Sequence, residues 1–236
     1  EFLVLGQSVG QVLIEGETGT GKSLVPLELH AVSARAKKKF VIFSCAGEEE
    51  ATVLRRLFGP AGVEDKIPLI EAARGGTLVL EDVELLSMQV QSRLLKAINM
   101  QGDPSETRII AISNLQEQEK ICQDVLRPDL YYRLAKLRIE LAPLRRRGED
   151  ILTLFTQYAE RFSEDYGCES PVVSAQEAAQ LLQAPWPGNV RQLISVAERT
   201  VLQTRRGGGT IASLLMAESD ADRPAITIEG KPLKEY

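Results

Sequence analysis

Eight residues, Gly16-Glu17-Thr18-Gly19-Thr20-Gly21-Lys22-Ser23, follow the spacing G-x-x-x-x-G-K-[ST]. The glycines let backbone N–H groups converge on phosphate oxygens, and the helix that follows adds partial positive charge at its start. Lys22 then reaches the β- and γ-phosphates, and the Ser23 hydroxyl holds Mg²⁺. ATP or ADP with Mg²⁺ is the cofactor set this chemistry calls for. A second run, Gly75-Gly76-Thr77-Leu78-Val79-Leu80-Glu81-Asp82, ends an apolar stretch in two carboxylates. Glu81 and Asp82 are what a metal-holding and water-activating pair needs. Ser113-Asn114 ends another apolar run with an amide able to orient an attacking water. Arg127 and Arg133 stand six apart; salt bridging is the ordinary role of such arginines, and their position just before the sheet ends leaves a second role open.

These residues need a frame, and the periodicity supplies one. Buried-strand patterns are expected over residues 11–15, 40–44, 77–80, 108–113 and 137–141, with a helical pattern over 22–36 between the first two. Strand–helix alternation implies a parallel sheet with helices on both faces, an α/β class. After Pro143 only helical patterns remain. Ile151, Leu152, Leu154, Phe155, Tyr158, Ala159 and Phe162 share one helical face, and Ser174 with Glu177 forms a capping box. Pro185-Trp186-Pro187-Gly188 breaks that second helix, and Asn189 opens a third. The expected division is an α/β core over 1–142, a helical region over 143–206 and a linker over 207–236. Gly207-Gly208-Gly209 marks the last boundary.

Composition narrows the class further. The 236 residues suit one or two domains, at about 150 residues each. With 44% hydrophobic and 26% charged residues, the chain is neither collagen-like nor disordered in kind. A net charge of -5 is not the basic footprint of a nucleic-acid-binding domain. The basic cluster Arg145-Arg146-Arg147 is answered at once by Glu149 and Asp150, so this segment is not expected to read DNA. No apolar run approaches the roughly 18 residues of a membrane span. Three cysteines, far apart and odd in number, form neither a disulfide framework nor a zinc pattern, and a reducing cytoplasm is the expected compartment. The first residues show no basic leader and begin mid-pattern, as a piece of a longer protein would. His30 and Lys37-Lys38-Lys39 call for nothing beyond packing and a solvated helix end.

Taken in order, these pieces resemble the central AAA+ ATPase domain of NtrC-type bacterial enhancer-binding proteins, the activators of sigma-54 RNA polymerase. The resemblance covers nearly the whole chain. It rests on the phosphate loop together with Leu57-Phe58-Gly59, Gly75-Gly76-Thr77-Leu78, Arg108-Ile109-Ile110-Ala111, Arg127-x-Asp129-Leu130-Tyr131-Tyr132-Arg133-Leu134, Pro143-Leu144-Arg145 and Trp186-Pro187-Gly188-Asn189-Val190-Arg191-Gln192-Leu193. It implies a P-loop NTPase sandwich with a small helical lid. It further implies a homo-oligomeric ring, hexameric or heptameric, with ATP at subunit interfaces and RNA polymerase holoenzyme as a partner. DNA would be bound only by a domain outside this chain, and two-component regulation is common in the family. By the same resemblance, Arg127 and Arg133 match trans-acting arginine fingers. Asn114 matches the first sensor, and Arg191 matches the arginine of the lid's second sensor.

The departures are as informative. Between Phe58-Gly59 and Glu71-Ala72 the family carries a GAFTGA loop that touches sigma-54. Residues 60–70 are shorter, contain two prolines and lack Phe-Thr-Gly. The family's Asp-Glu order is inverted to Glu81-Asp82, which gives Glu81 the metal role with an extra methylene and Asp82 the water role with one fewer. Ser44 stands where the family usually has Asn, and Ser23 where it commonly has Glu. Three readings remain open here. The preferred one is a slow ATPase that serves a transcription regulator without sigma-54 contact. The others are a sigma-54 activator with an atypical loop and a nucleotide-sensing module that barely hydrolyses ATP.

Overall fold

Short β-branched and leucine-rich runs become strands β1 (Val12–Glu15), β2 (Phe40–Ser44), β3 (Thr77–Glu81), β4 (Arg108–Ser113) and β5 (Leu137–Glu140). The computed structural model describes residues 6–8, 10–59, 67–100, 107–115, 125–205 and 211. Within them the strands make one sheet in the order β2-β3-β4-β1-β5, every neighbouring pair parallel. β1 and β4 are buried at every residue, as strands covered on both faces must be, whereas edge strand β5 alternates.

One face meets helix α1 (Val25–Ala31): Val12, Ile14, Val79, Ile110 and Ile112 pack with Val25 and Leu29. The other face carries Leu13, Leu78, Leu80, Ile109 and Ala111. These join residues of α2 (Glu50–Phe58), α4 (Met88–Met100) and α5 (Pro128–Leu134), with the short α3 (Leu69–Ala72) beside them. The expected α/β class is therefore the observed one.

The expected helix over 22–36 is shorter. Lys22–Leu24 forms a tight 3₁₀ turn and α1 begins only at Val25. Pro26 has no N–H to give to the Lys22 carbonyl, so a regular helix cannot start earlier. At the far end the Ser33 hydroxyl donates to the His30 carbonyl (2.7 Å) and accepts from the Arg35 N–H (3.1 Å), which turns the chain out of the helix. His30 itself is buried, bonds the Thr77 hydroxyl at 2.9 Å and lies against Phe40. Burial pushes its pKa down.

The chain divides into two compact units, Glu1–Arg146 with Gly188–Arg191, and Arg147–Pro187 with Gln192–Tyr236. The second contains α6 (Asp150–Tyr166), α7 (Ala175–Gln183) and most of α8 (Asn189–Arg205). Its buried apolar residues include Ile151, Phe155, Ala159, Leu181, Trp186, Leu193, Val196, Ala197 and Val201. The capping box expected at Ser174 and Glu177 forms. Gly167, left-handed at φ 60, ends α6, and the Trp186 indole N–H donates to the Leu181 carbonyl (2.8 Å). Among the described residues no helix is long and apolar enough to cross a membrane. The expected linker over 207–236 lies outside the described residues apart from Ile211.

Candidate functional site

The phosphate-type loop leaves β1 at Glu15 and returns into the 3₁₀ turn at Lys22, all within the first unit. Its turns require glycine at one position above all. Gly19 has φ +82, and a Cβ there would sit 2.3 Å from the Gly188 carbonyl oxygen. Lys22 is buried, and its Nζ donates to the carbonyls of Gly16 (2.8 Å) and Glu17 (2.7 Å), so the ammonium closes the loop on itself. Burial lowers its pKa, and the carboxylates of Glu84 and then Asp82 act against that shift.

A clamp from distant parts of the chain holds the same loop. Arg145 donates both guanidinium nitrogens to the Glu17 carboxylate, at 2.8 and 2.6 Å. Asn189 is fully buried; its amide nitrogen donates to Glu17 Oε2 (3.1 Å) and the Thr18 carbonyl (3.0 Å), and its oxygen accepts the Leu144 N–H (2.8 Å). The Arg145 bond, aided by Asn189, holds the Glu17 carboxyl at about 2. The Arg191 N–H donates to the Gly19 carbonyl at 3.3 Å. Asn189 does not stand out as a site residue in the sequence, although it follows a Pro-Trp-Pro-Gly break that puts the start of a helix there.

The carboxylate end forms where β3 and β4 finish side by side. Glu81 is the last residue of β3, and Asp82 turns away in a left-handed conformation at φ 57. The Asn114 side-chain nitrogen donates to Asp82 Oδ1 (2.5 Å), while its oxygen accepts the Thr18 hydroxyl (3.4 Å). The Asn114 backbone N–H donates to Glu84 Oε1 at 2.9 Å. Glu84 is thus a charged neighbour of the loop that the sequence reading does not single out. Its signal is faint: a carboxylate three residues past β3, inside an otherwise apolar turn. Ser44 is exposed, and its hydroxyl accepts the Ala46 N–H (3.3 Å). Burial, with the charges of Asp82, Glu84 and Glu81, pushes the Cys45 thiol up to about 12.

The structure thus gathers residues 16–23, Asp82, Asn114 and the Arg191 backbone around one loop. The two arginines are engaged differently. Arg127 opens α5 and donates to Asp129 (3.0 and 2.6 Å) and to the Ser92 hydroxyl (2.8 Å). Arg133 is exposed on α5. Among the described residues no group of three or more His, Cys, Asp or Glu forms a metal cage. Ser23, exposed at the loop's end, and Glu81, partly exposed at the strand's end, still offer one hydroxyl and one carboxylate. That donor set fits Mg²⁺, which commonly takes one or two protein ligands and fills its octahedron with phosphate and water.

Two families match this chain in tandem: the Sigma-54 interaction domain over residues 4–140 and the AAA+ ATPase lid domain over residues 145–223. The chain is 34% identical over 232 residues to the Sigma54-dependent transcriptional regulator SfnR of Pseudomonas fluorescens, covering 92% of this chain and 63% of that protein. It is 33% identical over 224 residues to the HTH-type transcriptional regulatory protein TyrR of Salmonella typhimurium, covering 91% of this chain and 44% of that protein. The crystal structure of NtrX from Brucella abortus in complex with ADP superposes with a TM-score of 0.80 at 28% identity. That match covers 92% of this chain and 52% of the NtrX chain.

Proposed function

Because the chain belongs to the Sigma-54 interaction domain family and carries an AAA+ lid, we propose that it is the ATP-binding, ring-forming domain of a bacterial transcriptional regulator. The observation that carries this reading is the loop at 16–23, with a buried Lys22 already bonded to two loop carbonyls. When nucleotide enters, Lys22 exchanges those carbonyls for phosphate oxygens, and the loop N–H groups donate to the remaining phosphate oxygens. Ser23 and Glu81 would hold Mg²⁺, which would supply positive charge against the phosphates. Asn114 fixes Asp82 at the terminal phosphate. The bound ADP in NtrX supports the nucleotide class.

Hydrolysis is slow in this reading. The Glu81-Asp82 order leaves Asp82 one methylene short, a retreat of about 1.5 Å. Misplacement on that scale costs roughly 10²-fold in rate. Arg127 and Arg133 act across subunits on a neighbour's phosphates, and Arg191 on the lid-side segment follows the nucleotide. The domain makes no productive contact with sigma-54: residues 60–70 lack the aromatic tip such a loop needs, and 60–66 of them lie outside the described residues. DNA is bound by a domain outside this chain, which spans 63% and 44% of the two relatives.

The test pairs binding with turnover. Lys22→Ala removes the loop's only side-chain cation and lowers ATP and ADP affinity by about tenfold or more. In the wild type, turnover per subunit rises with protein concentration as rings form. Unchanged nucleotide affinity in the variant overturns the site, and turnover independent of concentration overturns the shared interface.

A further inference from the structure

We infer that Glu84 is a working carboxylate of the nucleotide site, the acceptor that takes up the attacking water at the terminal phosphate where the shortened Asp82 falls back from it. This rests on the hydrolytic reading above. Glu84 lies in the turn Val83–Leu85 that follows β3, and only 9% of it is exposed. Its Oε1 accepts the Asn114 N–H at 2.9 Å. Its Oε2 is buried and has no hydrogen-bond partner among the described residues. A buried carboxylate oxygen without a donor is unfavourable, and such a group calls for a ligand, an ordered water or a part in the reaction.

The carboxylate faces the loop. Among the charges acting on the buried Lys22, Glu84 is the foremost favourable one, ahead of Asp82. It also converges with Asp82 on Asn114, which in turn accepts the Thr18 hydroxyl. Asp82 has one oxygen committed to the Asn114 amide, and its side chain is the shorter of the two. Glu84 has the longer reach and an idle oxygen. Bracing Asn114 explains Oε1 alone; a water donating to Oε2 explains both oxygens.

In the step so assigned, the water oxygen bonds to the γ-phosphorus while the bond from that phosphorus to the β–γ bridging oxygen breaks. ADP leaves with the electron pair. Oε2 takes the water's proton and passes it to the released phosphate, so that ATP and water become ADP and phosphate.

The variant that isolates this role is Glu84→Gln, because its amide oxygen still accepts the Asn114 N–H while the proton acceptor is gone. With ATP and Mg²⁺, at protein concentrations where turnover per subunit has levelled off, kcat should fall about 10²-fold or more. ADP affinity should stay within about twofold, since no binding contact to ADP is lost. ATP should gain several-fold over ADP, because a negative charge near the terminal phosphate is removed. Glu84→Asp should recover part of the lost kcat but stay below wild type. Wild-type turnover in Glu84→Gln with an unchanged ATP-to-ADP preference overturns the assignment, as does loss of ADP and ATP binding together, which marks a brace only. If Glu84→Gln does not fold, Glu84→Asp decides: a wild-type kcat there overturns the assignment, and a reduced kcat at unchanged ADP affinity supports it. A wild-type chain that binds ATP without turnover defeats the hydrolytic reading itself, an outcome distinct from an active enzyme indifferent to Glu84.

Discussion

Replacing Asn189 with Ala should destabilise the first unit more than any single surface change. Asn189 is fully buried and sits at φ 51, and its side chain makes three hydrogen bonds, to Leu144, Thr18 and Glu17. Alanine strands the buried Leu144 N–H, at about 1–3 kcal/mol for an unsatisfied donor. The partly buried Thr18 carbonyl and Glu17 carboxylate can turn to water, so their two bonds add roughly 1 kcal/mol together. A left-handed alanine costs about 1 kcal/mol more than an asparagine, which tolerates that region. The total is about 4 kcal/mol, or roughly 10 °C in Tm for a domain of this size. Thermal and urea unfolding of Asn189→Ala and Asn189→Gly beside the wild type separate the contributions. Glycine removes the same hydrogen bonds but sits without strain at φ 51, so it should recover about 1 kcal/mol and no more. An alanine variant within about 1 kcal/mol of wild type would mean that water replaces the whole network. Full recovery in the glycine variant would mean that backbone conformation alone matters. Either result refutes the clamp as a source of stability.

Further outcomes follow from the same geometry. Glu17 is held at about 2 against an ordinary 4.5, so its contribution to stability is complete above pH 4.5 and is lost as pH falls towards 2; Glu17→Gln should flatten that limb of an acid-unfolding curve, and an unaltered limb would count against the Arg145 pairing. Gly19→Ala, which drives a methyl to within 2.3 Å of the Gly188 oxygen, should abolish nucleotide binding measured by calorimetry; retained affinity would show that the loop can give way. Cys45, buried with its thiol pushed up to about 12, should resist iodoacetamide at pH 8 until the protein is unfolded, and fast labelling of the native chain would contradict that burial.

What was legible in the sequence is what is written contiguously. The glycine loop, the strands and the Ser174 capping box are local patterns, and local physics decides them. The helix after the loop is misjudged because apolar spacing alone does not register that Pro26 withholds an N–H from the turn before it. Buried polar residues are the harder class. Arg108, 1% exposed, donates to the carbonyls of Gly10 (3.2 Å) and Gly6 (3.1 Å), yet nothing beside it in the chain announces those partners. Asn189 and Glu84 are hidden in the same way, since each is inside only because acceptors or donors from remote segments meet it there. Charge patterning cannot reveal such residues, because a buried Glu84 and a solvated Glu49 look alike in sequence.

The separation of the clamp from the loop it grips has a consequence for how the protein is made. Asn189 lies 172 residues beyond Glu17, and Arg145 lies 128 beyond it. At about 5–20 residues per second, a ribosome needs on the order of 10 to 35 seconds to travel from Glu17 to Asn189. β1 emerges first, yet its neighbours in the sheet are β4 and β5, so Val12-Leu13-Ile14 waits with both edges open. Such an unpaired apolar strand is a template for wrong pairing. A strand that ends fully buried is therefore long in need of shelter during translation, and a rare-codon pause before β4 and β5 have left the ribosome lengthens that exposure, while one after both have emerged does not.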